Sequence, residues 1–187
     1  MKFIEHNFSA SLHVADVGRI EQGRPIRVVT QDFEHRITDQ GQEFTLFIRA
    51  GYCSDGGSIP RALRAVVQPW GKFAQAFVVH DILYSTRALT RLEADRILRE
   101  SVRVVTADIV EGEDQEMIEK YTRMGWCQAF LIYWAVRLFG GGGYSRGRCH
   151  YRDRATRAFE RTKTRDPKLS KKIIRTPEAL NPVVIRG

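Results

Sequence analysis

The hydrophobic rhythm of the chain changes twice. Over residues 1–50 the apolar positions come in short β-branched and aromatic runs, PIRVVTQDF at 25–33 and EFTLFIRA at 43–50, and such runs predict strands. Between them the polar TDQGQ segment, Thr38 to Gln42, carries a glycine and predicts the turn of a hairpin. A Gly/Pro-rich loop follows, GYCSDGGSIP at 51–60, and beyond it the spacing becomes helical as far as Phe139. No internal repeat is visible. The chain therefore reads as β first and α second.

The helical part divides at clear signals. A first helix over 72–86 carries Phe73, Ala76, Phe77, Val78, Ile82 and Leu83, a mostly buried set. A second begins at Thr90, where Thr90 and Glu93 have the spacing of a capping box. Only about four residues connect them, which forces an antiparallel helical hairpin. The most apolar stretch, WCQAFLIYWAVRLF at 126–139, is about 14 residues long and contains Gln128 and Arg137, whereas a membrane span needs roughly 20 apolar residues. It predicts no transmembrane segment. Ala129, Ile132, Tyr133, Ala135, Val136 and Phe139 recur at helical spacing, so a buried amphipathic helix is the expected reading, with a membrane-surface helix as its alternative. The glycine run at 140–143 is expected to stop this helix and form a hinge.

Composition adds bounds. With 187 residues, 43% apolar and 28% charged, the chain fits one domain with an appendage and excludes a disordered, collagenous or membrane-spanning protein. The net charge of +8 is unevenly placed. Residues 146–187 hold 13 of the 30 Lys/Arg and 4 of the 22 Asp/Glu, leaving 17 basic and 18 acidic residues before them. A neutral α+β body over 1–143 and an extended basic C-terminal arm over 144–187 follow. The arm, with Tyr144, Tyr151 and Phe159 among its arginines, could grip nucleic acid by phosphate contact and stacking, or be a solvated basic helix. Docking on another subunit is the expected source of its order.

Three cysteines, Cys53, Cys127 and Cys149, form no C-x-x-C pair and have no histidine at zinc-ligand spacing, which argues against structural zinc and a disulfide scaffold. The start, MKFIEHNFSA, has no signal-peptide run. Synthesis in a cytoplasm is expected.

The candidate chemistry lies in the helical hairpin. His80 and Tyr84 are four residues apart and share a face of the first helix, whereas Asp81 is turned about 100° away. At about 1.5 Å per residue from the turn, Asp95 on the second helix falls between His80 and Tyr84. An aspartate that accepts from one imidazole nitrogen leaves the other as a base for water. The bland alternative is a satisfied core pair. Asp81, on its own face, is free for a cation. Calcium takes carboxylate and carbonyl oxygens, and the loop carrying Tyr52, Ser54 and Gly56 can supply them. The same loop can instead be a tight turn, with Asp55 and Ser58 capping a helix near Pro60. Ser58 lacks the setting of a nucleophile elbow. A metal phosphohydrolase using the His-Asp pair would need a further helical histidine, and His6, His13 and His35 all fall in the β-like region.

Several of these motifs in order, Gly51-x-x-Ser54-Asp55-Gly56-Gly57-Ser58-Ile59-Pro60-Arg61, Val78-Val79-His80-Asp81-x-Leu83-Tyr84, Ala94-Asp95 and Ala135-Val136-Arg137-Leu138-Phe139-Gly140, resemble the phage and prophage domain-of-unknown-function family thirteen-fifty-three, over about residues 50–140. The resemblance implies a viral or prophage origin. Locally, the Gly-rich loop, His-Asp-x-x-Tyr and later Asp are also similar to phospholipase A2, including the disulfide-free forms in parvoviral capsid proteins. Val79 and Leu83 stand near the motif where the secreted enzymes have flanking cysteines, and the loop lies further from the histidine. That similarity implies His80 as general base, Tyr84 and Asp95 as its supports, and calcium held by Asp81 with the backbone of Tyr52, Ser54 and Gly56.

Two functions are thus expected. One is a phage-encoded, virion-associated, calcium-dependent ester hydrolase acting on host envelope phospholipid, made in the host cytoplasm and assembled with other phage structural proteins. The other is a non-enzymatic component of a phage tail, neck or baseplate, in which the same residues lock the hairpin.

Overall fold

The computed structural model describes residues 8–20, 24–39, 42–56, 67–68, 70–109, 115–180 and 184–186. Its amino-terminal part holds strands β1 (Val14–Ile20), β2 (Arg24–Val29), β3 (Phe33–Asp39), β4 (Gln42–Ile48) and β5 (Cys53–Ser54). The helices α1 (Ala74–Thr86), α2 (Arg91–Ile109), α3 (Gln115–Phe139), α4 (Gly141–Arg165) and α5 (Pro167–Lys172) follow, and β6 (Val184–Arg186) comes last. This is the α+β class expected, β first and helical hairpin second.

The strands form two antiparallel three-stranded sheets, β1-β2-β5 and β3-β4-β6. The hairpin is β3–β4, in register from Phe33 opposite Ile48 to Asp39 opposite Gln42. Its turn falls within the TDQGQ segment, but the strand before that turn is 33–39, whereas residues 25–29 pair with β1 and β5. Thr30, Gln31 and Asp32 are too few to break the apolar pattern of the 25–33 run, which therefore looks like one strand. In the structure these residues turn the chain from one sheet to the other.

The main core lies between the sheets and the face of helices α1, α2 and α4, around Val28, Leu46, Tyr52, Val78, Leu83 and Ala94. A second core, Phe73, Phe77, Leu98, Val102, Ala129 and Ile132, lies where α1, α2 and α3 meet. Burying a Leu or Phe side chain is worth about 1.5–3 kcal/mol, so these two clusters fix the helices against the sheets before any polar group is considered.

The basic segment after residue 140 departs from the expected extended arm. It is a 25-residue helix, α4, and its Tyr151, Ala155 and Ala158 are fully buried in the main core. Tyr151 stacks on Tyr52 at 5.1 Å between ring centroids and its hydroxyl donates to the Ile174 carbonyl. Packing within the chain orders this segment. Its small residues recur at three- and four-residue spacing inside a sea of arginine, a stripe that overall charge conceals.

Helix α3 also differs from expectation. Ala129, Ile132 and Ala135 are buried, but Phe139 is 72% exposed, as are large parts of Trp126, Phe130, Trp134 and Leu138. The helix thus buries a narrow small-residue face and turns its aromatic face outward. Of the glycine run, only Gly140 lies between the helices, and 141–143 begin α4. Glycine is required close by for a steric reason: a Cβ on Gly147 would sit 2.3 Å from the Tyr84 carbonyl oxygen, so α4 can cross α1 only without one.

Candidate functional site

Helix α1 ends in Arg87, whose left-handed backbone (φ 57°) lets its N–H donate to the Leu83 carbonyl. Helix α2 then starts on the expected capping box: Thr90 N–H donates to Glu93 Oε2 at 2.8 Å, and Glu93 N–H to Thr90 Oγ1 at 3.3 Å. The short connection holds the two helices antiparallel, and so brings Asp95 up against His80 and Tyr84.

Asp95 is fully buried and all its neighbours are donors. Its Oδ1 accepts from His80 Nε2 at 3.0 Å and from the Tyr84 hydroxyl at 2.5 Å. Its Oδ2 accepts from Arg137 Nη1 of α3 at 2.9 Å, with Arg91 Nε at 3.8 Å. Burial alone would push this carboxyl up, but the hydrogen bonds from His80, Tyr84 and Arg137 outweigh it and hold the group below the usual carboxylate range. Burial and the bond to Asp95 together raise the Tyr84 hydroxyl, which stays protonated as a donor. The His80 ring lies against that of Tyr84 at 4.1 Å. With Nε2 engaged on Asp95, Nδ1 has no hydrogen-bond partner among the described residues, and the side chain keeps 12% exposure.

Arg91 serves a second purpose. Its Nη2 donates to the carbonyls of Val136 and Arg137 at 2.7 and 2.5 Å, so a cation sits at the carbonyl end of the α3 dipole. The end of α3 is thereby tied to the start of α2, and Arg137 is aimed at Asp95.

Asp81, turned away on α1, belongs to a different cluster. Ser54 Oγ donates to its Oδ2 at 3.0 Å and Arg154 Nη1 of α4 to the same atom at 2.5 Å. Arg154 also donates to the Cys53 carbonyl at 3.2 Å and pairs through Nη2 with Asp55 Oδ1 at 2.8 Å. Burial pushes the Asp81 carboxyl up; Arg154 opposes that and the Asp55 charge adds to it. Arg154, between two carboxylates, is held charged despite its burial.

The phospholipase A2 resemblance implies calcium at this second group. The Asp81 carboxylate, expected to face a metal, instead meets the Arg154 guanidinium. The Tyr52 carbonyl accepts from Val29 N–H at 2.8 Å within the sheet region, the Ser54 hydroxyl is spent on Asp81, and Gly56 N–H donates to Ser54 Oγ at 3.1 Å. A calcium ion at Asp81 would have to displace Arg154 from Oδ2. Among the described residues no group of three or more His, Cys, Asp or Glu could hold a metal ion. Ser58 and the helix expected near Pro60 lie outside the described residues.

The structure therefore joins His80, Tyr84 and Asp95 and places Asp81, Tyr52, Ser54 and Gly56 elsewhere. Three arginines were not anticipated. Arg137 had a signal, being the one charge in the apolar 126–139 run; Arg91 sits inside the capping box; Arg154 has nothing in the sequence to separate it from its basic neighbours.

A sheet-backed helical hairpin with a donor-rich buried aspartate is what the fold and geometry define. Residues 28–113 match the family described as Protein of unknown function (DUF1353). The matched stretch begins earlier and ends earlier than the resemblance read from motifs. It contains His80, Asp81, Tyr84 and Asp95, whereas Arg137 and Arg154 lie beyond it. No curated protein and no solved structure gives a significant match.

Proposed function

We propose that the chain is an ester hydrolase in which His80 is the general base and Asp95 the group that orients it. The observation that carries this reading is the division of labour on one imidazole: Nε2 is fixed on Asp95, which Tyr84 and Arg137 also hold, while Nδ1 has no partner among the described residues. With Nε2–H donating to the carboxylate, the lone pair is on Nδ1. It removes a proton from water as the water oxygen bonds to the ester carbonyl carbon. On collapse the carbon–oxygen ester bond breaks and the Nδ1 proton passes to the departing alkoxide, so the base is regenerated. Asp95 remains ionised throughout, consistent with its lowered pKa. Phospholipid is the substrate class of this reading, and no step runs through calcium.

A non-enzymatic component of a phage particle is the second reading. Its favouring observation is that both oxygens of Asp95 are engaged and tie α1, α2 and α3 together, as a structural lock would. The test is release of fatty acid from mixed bacterial phospholipids, with calcium or chelator, by the wild type and His80→Ala. Release that is insensitive to chelator and lost in a variant of unchanged melting temperature is the expected result. No release from the wild type under either condition removes the enzyme reading and leaves the lock.

A further inference from the structure

The second structural feature that the core does not account for is the outward face of α3. Trp126, Phe130, Trp134 and Leu138 follow one another at four-residue spacing, so they form one stripe on the helix. Trp126 is 50%, Phe130 60% and Leu138 69% exposed. The two tryptophans are about 12 Å apart along the axis. A monomer in water rarely shows so many large apolar side chains together, and no helix among the described residues is long and apolar enough to cross a membrane.

Charge identifies what covers the stripe. From Lys120 to Arg152 the chain has six Lys/Arg, namely Lys120, Arg123, Arg137, Arg146, Arg148 and Arg152, and no Asp or Glu. Arg103 of α2 adds its guanidinium 3.5 Å from the Trp126 ring centroid. Arg103, Arg137 and Arg152 already pair with Glu100, Asp95 and Glu178, so a second copy packed face to face would set the remaining Lys120, Arg123, Arg146 and Arg148 against each other. An anionic surface that accepts tryptophan, phenylalanine and leucine to a shallow depth answers both properties, because tryptophan prefers the headgroup level and Lys/Arg the phosphates. The stripe is also continuous with the candidate site: Leu138 adjoins Arg137, whose guanidinium holds Asp95.

From this we infer that the α3 stripe docks the protein on an anionic phospholipid surface, inserting Trp126, Phe130, Trp134 and Leu138 into the headgroup region. Docking would bring the His80 end of the hairpin to the lipid. In that respect it rests on the hydrolase reading, which it deepens by supplying the form in which substrate is met.

The full chain is sedimented with vesicles of phosphatidylcholine containing about 30% phosphatidylglycerol, and with phosphatidylcholine alone. The variants are Phe130→Glu and Leu138→Glu, both at exposed positions, which leave the tryptophans as reporters. Binding to the anionic vesicles with a blue shift in tryptophan emission, weakened about tenfold by either variant and by added salt, is the expected result. Absence of binding to anionic vesicles overturns the proposal. So does a dimer in sedimentation velocity that both variants dissociate, since a second copy then covers the stripe. Turnover of a soluble short-chain ester is measured in parallel. Vesicle binding without any turnover keeps the docking surface and removes the hydrolase, whereas turnover without vesicle binding does the reverse.

Discussion

His80 and Asp81 are neighbours in sequence, yet they serve two buried clusters of opposite character. On one side of α1 a single carboxylate, Asp95, is surrounded by donors from His80, Tyr84 and Arg137. On the other a single guanidinium, Arg154, is shared by Asp81 and Asp55. The first has donors to spare and the second has acceptors to spare. The consequence is visible in how the carboxyls titrate: Asp95 is held low and Asp81 is pushed up. A donor surplus at fixed geometry leaves one imidazole nitrogen available for chemistry. The shared cation is committed to Asp81, Asp55 and the Cys53 carbonyl, which suits it to holding α4 against α1 and β5.

Breaking the second cluster should cost the most. Arg154→Met takes a guanidinium away from Asp81, Asp55 and the Cys53 carbonyl, and removing one partner of a buried ion pair costs about 3–5 kcal/mol. A large fall in the urea midpoint is expected, with partial recovery when Asp81→Asn is added, since coupled partners are not additive. Unchanged stability in Arg154→Met would dismiss the cluster as a lock.

Asp95→Asn and Asp81→Asn then separate the two carboxyls. The first removes the charge that Arg137 and His80 answer and is expected to destabilise by about 2–3 kcal/mol, as for a hydrogen bond to a charged group. The second removes a charge that burial already disfavours, leaving Asp55 to pair with Arg154, and should change stability at pH 7 by less than about 1 kcal/mol. The signs with pH differ too. Asp95, with its folded pKa depressed, contributes stability that is complete above the ordinary aspartate value of about 3.9 and is lost as pH falls through the lower folded value. Asp81, with its folded pKa raised, contributes in the opposite sense: its favourable share is present below the ordinary value and is lost as pH rises through the folded one. Chemical denaturation at pH 6 and pH 3 should therefore show a smaller acid loss in Asp95→Asn than in the wild type.

Much of the first cluster was legible in the sequence, because it depends on local geometry. The i, i+4 spacing of His80 and Tyr84, the short connection and the Thr90–Glu93 box together place Asp95 to within a turn. The second cluster was illegible for the converse reason. Arg154 lies 73 residues from Asp81, on a helix whose buried stripe of Tyr151, Ala155 and Ala158 is outnumbered by charge. Its role depends on α4 packing on α1, a tertiary fact with no local signature. The same holds for α3, where hydrophobicity does not mean burial and the buried face is the one with small residues.

Gly147→Ala gives a smaller and more local test of that packing. Alanine is favoured over glycine within a helix by about 0.5–1 kcal/mol, but here its Cβ would meet the Tyr84 carbonyl at 2.3 Å, and backbone cannot swing aside as a side chain can. Overpacking of this kind costs about 1–3 kcal/mol. A net fall in melting temperature is expected, and a rise would mean that α4 stands further from α1.

The least perturbing probe is the reactivity of the three cysteines, one of which lies beside the second cluster. Cys53 lies on β5, fully buried, and burial pushes its thiol up to about 12, so it has almost no thiolate near neutral pH. Cys127 on α3 and Cys149 on α4 are exposed. Native protein treated with a small alkylating reagent should take two adducts by mass spectrometry, and unfolded protein three. Because the Cys53 carbonyl accepts from Arg154, the third adduct should form faster in Arg154→Met than in Asp95→Asn even where the two are equally destabilised. Equal rates in the two variants would mean that Cys53 reports only global unfolding, and the division of α1 into two separately held faces would fail.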